Sequence, residues 1–335
     1  MGYSLSMGRL GTRLLRLYLV IATLGLSVSA VALLGAGATP VNSDASVPIP
    51  TGAIHIWGID AHDGDLKQIN GTYYLYGTSY GCGFQWGVPS PYCGVRIYTS
   101  SDLTTWTPAG FAFDAATSAW QRWCGGSGWP EPGGCFEPRV VAIDGGYTMW
   151  LDVPRLNRIA VLHADGPTGP FVFRAWSSVA GGWSEGVYYD AVGEGDLWLA
   201  VANHHMDISL QSRTGSYTIR SGSLGQPGIE GPGLFRNGLE WVMTVSYGAC
   251  GYCFGTQMAY FTSRDPLVSW QFGGVVRSDA CGGQPNGVVT LNGQTYEWLD
   301  VWNGHQQESQ TAAPILLSPL MFNPDGTLQP LACGY

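Results

Sequence analysis

Residues 70–106 read NGTYYLYGTSYGCGFQWGVPSPYCGVRIYTSSDLTTW. An Asn-Gly pair opens the stretch, and such a pair accepts the positive φ angles of a tight hairpin turn. An alternating aromatic run, TYYLYGTSY, comes next. A second alternating run, GVRIYTSSDLTTW, closes on Ser100-x-Asp102 and Trp106. Period-2 runs bounded by turn residues read as strands. The theme returns four times. Asp144-Gly145-Gly146 precedes YTMWLDV, with NRIAVLHADGPTGPF after it. Gly193-Glu194-Gly195-Asp196 precedes LWLAVANHH, with DISLQSRTGSYTI. Asn237-Gly238 precedes LEWVMTVSYG, with QMAYFTSRDPLVSW. Asn292-Gly293 precedes TYEWLDVWNG, with APILLSPLMF. Sheet units repeated along a chain with no helices between them are the mark of propeller blades. Five units predict an all-β, five-bladed β-propeller forming one domain over residues 50–335. A β-sandwich or two-sheet solenoid is the alternative. The return of Ser263-x-Asp265 and Trp270, after Ser100, Asp102 and Trp106, argues against it.

Composition agrees. The 335 residues are 45% hydrophobic and 13% aromatic but only 12% charged, with 49 glycines and one lysine, Lys67. Disordered chains are poor in aromatics and rich in charge, and helical bundles need Ala, Glu, Lys and Leu. Both classes are excluded.

The start of the chain has a different character. Arg9, Arg13 and Arg16 precede an apolar run from Leu17 to Leu34, then Ala36-Gly37-Ala38. That order is a secretory signal, predicted over residues 1–38, followed by a short linker at 39–49. The run is also long enough to approach a membrane span, so an uncleaved anchor stays open as the other reading. Beyond residue 38 the chain keeps all 24 acids and loses three of 15 basic residues, deepening a net charge of −9. Such a surface repels a phosphate backbone, which excludes nucleic acid as partner. A secreted monomer is expected. Eight cysteines follow the signal, and an even count in an exported chain predicts disulfides. Cys82 with Cys93 and Cys124 with Cys135 are local pairs. Cys250, Cys253, Cys281 and Cys333 complete the set, and Cys250-Gly-Tyr-Cys253 reads as a loop staple.

With these segments in order, the chain resembles glycoside hydrolase family 43, the five-bladed propeller glycosidases. AHDGDLKQINGTYYLYGTS is similar to that family's opening blade, with an Asp ahead of the aromatic strand. IEGPGLFRNGLEWVMTVS is similar to its general-acid strand, and SRDPLVSW and PLMFNPDGTL fit the same template. Two segments lean toward the exo-β-1,3-galactanase branch. FEPRVVAIDGGYTMWLDV resembles a Glu-Arg-Pro-Lys-Val blade with one residue fewer. GGQPNGVV resembles a Ser-Gln-Pro-Thr strand in which glutamine stands in for the base. That branch has glycine where this chain has Asp63, so this chain keeps both groups. The family's third acid is replaced here by Gly186, with Glu185 beside it. The resemblance implies a hydrolase of a neutral plant or cell-wall polysaccharide, galactan or arabinan ahead of xylan. A non-catalytic glycan-binding propeller is the alternative.

Cleaving a glycosidic bond takes one protonated carboxyl to serve the leaving oxygen and a second group to activate water. In a propeller both must reach the funnel at the axis, so candidates sit just ahead of the first strand of different blades. Glu230, among Gly228, Ile229, Gly231 and Pro232, is the predicted acid, because apolar surroundings raise a carboxyl's pKa. Asp63 is the predicted base, with Asp65 and Asp60 as rivals and Gln284 as the base the galactanase resemblance implies. Glu137 opens blade two and supports the acid. Arg139, Glu185, Trp183, Tyr247 and Trp302 are candidates for sugar binding, as are Trp86 and Trp129. No cofactor is required. His305 is a candidate ligand for a structural calcium in the central channel, which some relatives hold, whereas His62, His204 and His205 form no zinc set.

Overall fold

The computed structural model describes residues 52–334, apart from segments at 86–87, 127–132, 144, 190–194, 213, 215–216, 227, 248–254 and 303–306 and the side chains of 307–309. The signal segment, Trp86, Trp129, Cys250, Cys253 and His305 lie outside the described residues.

Twenty strands form five four-stranded antiparallel sheets. The first described strand is β1 (Ile54–Ile56). Blade I holds β2 (His62–Ile69), β3 (Thr72–Thr78), β4 (Val95–Ser100) and β5 (Thr107–Phe111). Blade II holds β6 (Phe136–Ile143), β7 (Gly146–Val153), β8 (Arg158–Ala164) and β9 (Val172–Ala180). Blade III holds β10 (Ser184–Tyr189), β11 (Leu197–Ala202), β12 (Asp207–Gln211) and β13 (Thr218–Ser223). Blade IV holds β14 (Ile229–Asn237), β15 (Glu240–Tyr247), β16 (Gln257–Ser263) and β17 (Gln271–Arg277). Blade V holds β18 (Gln284–Leu291), β19 (Gln294–Asp300) and β20 (Ile315–Pro319), and β1 supplies its outer strand. That last pairing, Ile54 with Leu317 and Ile56 with Ile315, closes the ring with the two ends of the domain.

The first strands of successive blades touch all the way round, so β2, β6, β10, β14 and β18 surround the axis. The aromatic runs of the sequence are the second strands, β3, β7, β11, β15 and β19. Both faces of these strands are apolar because both are covered by neighbouring blades. Met149 and Leu151 pack with blade I, while Trp150 between them packs with blade III. Blade V repeats the pattern: Trp298 packs with blade I and Leu299 with blade IV. One departure from an all-strand chain is α1 (Ser118–Cys124), which lies between β5 and β6 and is capped by the Thr117 side chain.

Among the described residues three disulfides hold connections between strands. Cys82–Cys93 closes the β3–β4 loop and Cys124–Cys135 the β5–β6 connection. Cys281–Cys333 ties the C-terminal segment to the entrance of β18 across 52 residues. That segment also lies on the closing blade, where the Cys333 carbonyl is 3.0 Å from His55 Nε2. Cross-linking a loop of that length contributes about 4 kcal/mol in the chain-entropy picture. The double variant Cys281→Ala/Cys333→Ala is therefore expected to unfold at a clearly lower denaturant midpoint while keeping its β circular dichroism. An unchanged midpoint would show that the ring closes without this tether.

Candidate active site

Four of the five inner strands carry a bulge at the same place. The register shifts between His62 and Asp65, Phe136 and Arg139, Glu230 and Gly233, and Pro285 and Val288. The bulges bring Asp63, Glu137, Gly231 and Asn286 to equivalent positions. A bulge re-aims the side chain it carries. Asp63 and Glu137 hold φ of 50° and 55°, a left-handed conformation rare for such residues and found mostly at functional sites. At Gly231, with φ 58°, a Cβ would lie 1.9 Å from the Pro285 carbonyl oxygen, so only glycine fits there. Gly186 stands in blade III under the same restriction, 2.0 Å from the Pro232 oxygen. A side chain at residue 186 has no room in this arrangement.

The side chains aimed inward form one network. Asp63 Oδ1 accepts from Asn286 Nδ2 at 3.0 Å, Oδ2 accepts from the Tyr80 hydroxyl, and the Asp63 backbone N–H donates to Asp300 Oδ2 at 3.0 Å. Burial pushes the Asp63 carboxyl well above the usual range, with the Asp300 and Glu137 charges adding to it; Tyr80 and Arg139 pull the other way. Glu230 Oε2 accepts from Gln284 Nε2 at 2.8 Å, and Gln284 Oε1 accepts from Trp302 Nε1 at 2.8 Å. Burial and the Glu137 charge push Glu230 up to about 7, against the pull of the Gln284 bond. Glu137 Oε2 accepts from Arg139 and from the Glu185 backbone N–H, both at 2.8 Å. Burial raises Glu137 as well. Asp63, Glu137, Glu230 and Gln284 are thus drawn from blades I, II, IV and V into one electrostatic neighbourhood.

Several residues sit differently from their expected roles. Arg139 is no sugar ligand: it is 5% exposed, and its guanidinium donates to Glu137, to the Gly64 carbonyl, to the Glu185 carbonyl at 2.8 Å and to the Asn286 carbonyl at 2.5 Å. A group bonded to the inner strands of blades I, II, III and V sits at the axis. Glu185 is fully buried, so its carboxyl cannot meet a sugar. Burial, with the Asp152 and Glu137 charges behind it, raises that carboxyl well above its usual value. Trp302 is 4% exposed and braces Gln284 rather than offering a face. Trp183 and Tyr247, 36% and 37% exposed, remain open beside the acid strand. Trp183 Nε1 reaches the Ile229 carbonyl at 3.4 Å, and Tyr247 pairs with Ile229. Asp65 ties β2 to β6 through the Val140 N–H at 2.8 Å, and Asp60 is spent on the loop after β3. His62 is buried with Nδ1 3.2 Å from Asp300 Oδ1.

An axial calcium does not fit the described residues. The carbonyls that converge there, from Gly64, Glu185 and Asn286, are already served by the Arg139 cation. Among the described residues no three His, Cys, Asp or Glu side chains are grouped to hold a metal ion. Tyr80, Asn286 and Asp300 escape a sequence reading. The first lies in a loop and the others contact Asp63 only through the closed ring, although Asn286 stands within the quoted GGQPNGVV strand.

Two expectations follow. Arg139→Met strands a buried carboxylate and three carbonyls, and breaking a buried pair from one side costs about 3–5 kcal/mol. Arg139→Lys should recover little, because an ammonium lacks the planar fork that reaches four acceptors. Denaturant midpoints near wild type for both would remove the residue from the axis. The second concerns pH. Burial raises Asp152, Glu185 and Glu297 well above their usual values, so the folded protein keeps protons that the unfolded chain releases. Their contribution is complete below about pH 4 and is lost as pH rises through the raised values. Melting temperature should fall from pH 5 to pH 8, and Glu297→Gln should flatten the slope.

Comparison with known proteins agrees with the fold. The family model described as "Glycosyl hydrolases family 43" matches residues 56–327. Among solved structures, the exo-β-1,3-galactanase of Phanerochaete chrysosporium is similar with a TM-score of 0.69 at 17% identity, over 82% of this chain and 66% of its own. The exo-β-1,3-galactanase of Clostridium thermocellum gives 0.66 at 19%, over 83% and 65%. This chain spans just under two thirds of either protein. A family 43 β-1,3-galactosidase with galactodeoxynojirimycin gives 0.62 at 19%, over 81% and 93%. No curated protein matches the chain in sequence. The match to the family model covers most of the propeller, so the chain belongs to glycosyl hydrolase family 43.

Proposed function

We propose that this protein is a secreted, inverting glycoside hydrolase of a neutral plant or cell-wall polysaccharide, with β-linked galactan ahead of arabinan. The observation that carries the reading is the convergence of two carboxyls from different blades, both raised by burial but served by different donors. Glu230, pushed up to about 7, keeps its proton for the leaving oxygen. Asp63 has donors of its own, the Tyr80 phenol and the Asn286 amide, which favour its ionised form. Inverting enzymes keep acid and base about 6.5–9.5 Å apart to admit water. Gln284, at 2.8 Å from the acid, has no such gap, and its oxygen is taken by Trp302. It therefore orients Glu230, and Asp63 receives the proton from water. Glu137 adds its charge to both carboxyls. Trp183 and Tyr247 border the acid and would stack on the leaving sugar. The disulfides and the signal-like start support export, and the galactanase and galactosidase structures of like fold favour galactan over arabinan.

The test is incubation of the purified protein with β-1,3-galactan, arabinan and xylan, with the anomer first released read by NMR. Galactose released with inversion is expected. Binding without release would favour the glycan-binding propeller instead. Asp63→Asn should lower kcat by about 10²–10⁴ while sparing KM. In wild type, kcat/KM should fall as pH rises through about 7, where Glu230 loses its proton. Gln284→Ala removes a bond that favours the ionised acid, so its alkaline limb should move to higher pH with a smaller loss of turnover. A mild Asp63→Asn beside a severe Gln284→Ala would pass the base role to the glutamine.

A further inference from the structure

Asp63 sits under a loop whose construction exceeds what closing a hairpin requires. The turn from β3 into residues 79–81 is clamped by Asp60: Oδ2 accepts from the Ser79 hydroxyl at 2.5 Å and the Gly81 N–H at 3.0 Å, and Oδ1 from the Tyr80 N–H at 2.8 Å. One residue further on, the Cys82–Cys93 bridge pins both arms of the loop. Between these two fixings stands Tyr80, 3% exposed. Its ring is boxed by His62, Phe84, Phe136 and Trp302, with centroids 5.8, 5.5, 6.5 and 6.1 Å away. Rings packed on several sides leave the phenol one direction to point, and there it meets Asp63 Oδ2.

We propose that Tyr80 is the positioning residue of Asp63: its phenol, aimed by the Asp60 clamp and the disulfide-closed loop, fixes the carboxylate that takes the proton from water. The proposal rests on the reading of Asp63 as base. The groups facing Asp63 explain why such a partner is needed. Asp300 at the end of β19 and Glu137 on β6 oppose its ionisation, His62 lies next to it on β2, and Asn286 on β18 and Arg139 on β6 favour its charge. A donated hydrogen bond stabilises the ionised form over the neutral one. Tyr80 and Asn286 each serve one carboxylate oxygen, which sets the plane of the group and leaves a lone pair on each oxygen for water.

The decisive variant is Tyr80→Phe, which keeps the boxed ring and so the fold, as an unchanged melting temperature would verify. In wild type and variant, the Asp63 carboxyl is titrated by ¹³C NMR with labelled aspartate, and kcat/KM on β-1,3-galactan is followed against pH. The expected result is a rise of about one pH unit in both the Asp63 titration and the acidic limb, with KM unchanged. Asp60→Asn, which loosens the clamp but leaves the phenol, should move both in the same direction by less. An Asp63 titration unmoved in Tyr80→Phe overturns the proposal, whether or not the enzyme is active. The NMR arm needs no substrate. A shifted titration in a protein that cleaves none of the glycans would instead leave the Tyr80–Asp63 coupling standing and remove Asp63 as base.

Discussion

The guanidinium of Arg139 at the propeller axis is the contact on which the site depends. Five inner strands brought side by side present carbonyls to a narrow space with little water, and unpaired buried carbonyls are costly. Arg139 answers with a planar fork that reaches the backbone of blades I, III and V, while Glu137 of its own blade balances the charge. The blades must come close for this to work. Gly287 brings the backbone of β18 against the guanidinium, where a Cβ would sit 3.1 Å from a terminal nitrogen. One side chain thus sets the mutual height of four inner strands. The bulges on those strands then place Asp63, Glu137 and Asn286 at one level.

The same geometry decides what a sequence can reveal. Turns such as Asn70-Gly71 and alternating runs such as YTMWLDV identify five sheets because both faces of each second strand are buried. The inner strands hide their nature. HDGDLKQI, FEPRVVAI and QPNGVVTL break alternation at a bulge, with glycine or proline inside it, so they read as loops leading into strands. Outer strands hide for the opposite reason. TPAGF in blade I is exposed along its whole length and carries no apolar pattern. Each blade therefore shows two strands of its four.

For the site, residue type and position ahead of an aromatic strand point to Glu230, Asp63 and Glu137 as candidates, since carboxyls are scarce in a chain only 12% charged. Arg139, a sugar-binding candidate by sequence, has a local partner in Glu137. Its other acceptors come from residues 64, 185 and 286, which only the closed ring brings together. Gln284 shows the same limit. Its family likeness suggests a base, and its actual partners, Glu230 and Trp302, lie in different parts of the chain.

The charge balance around the axis ties the scaffold to the chemistry. Among the described residues Arg139 is the one arginine that is buried, and Glu137, Asp63, Asp152, Glu185 and Glu297 all lie within its neighbourhood or one another's. One cation cannot compensate that many ionised groups at low dielectric, so burial drives some of them to hold protons. Glu137 takes the guanidinium directly and keeps the best claim to it. Its charge is then felt by Glu230, which has only the Gln284 amide to offset it. The raised carboxyl of Glu230 is therefore a by-product of how the ring is tied at its centre. Asp63 is raised by burial in the same way, and its own donors, Tyr80 and Asn286, together with Arg139, pull against that rise. Glu230 and Asp63 are thus both raised by burial within one hub of five strands, and they differ in their donors: one amide for Glu230, a phenol and an amide for Asp63.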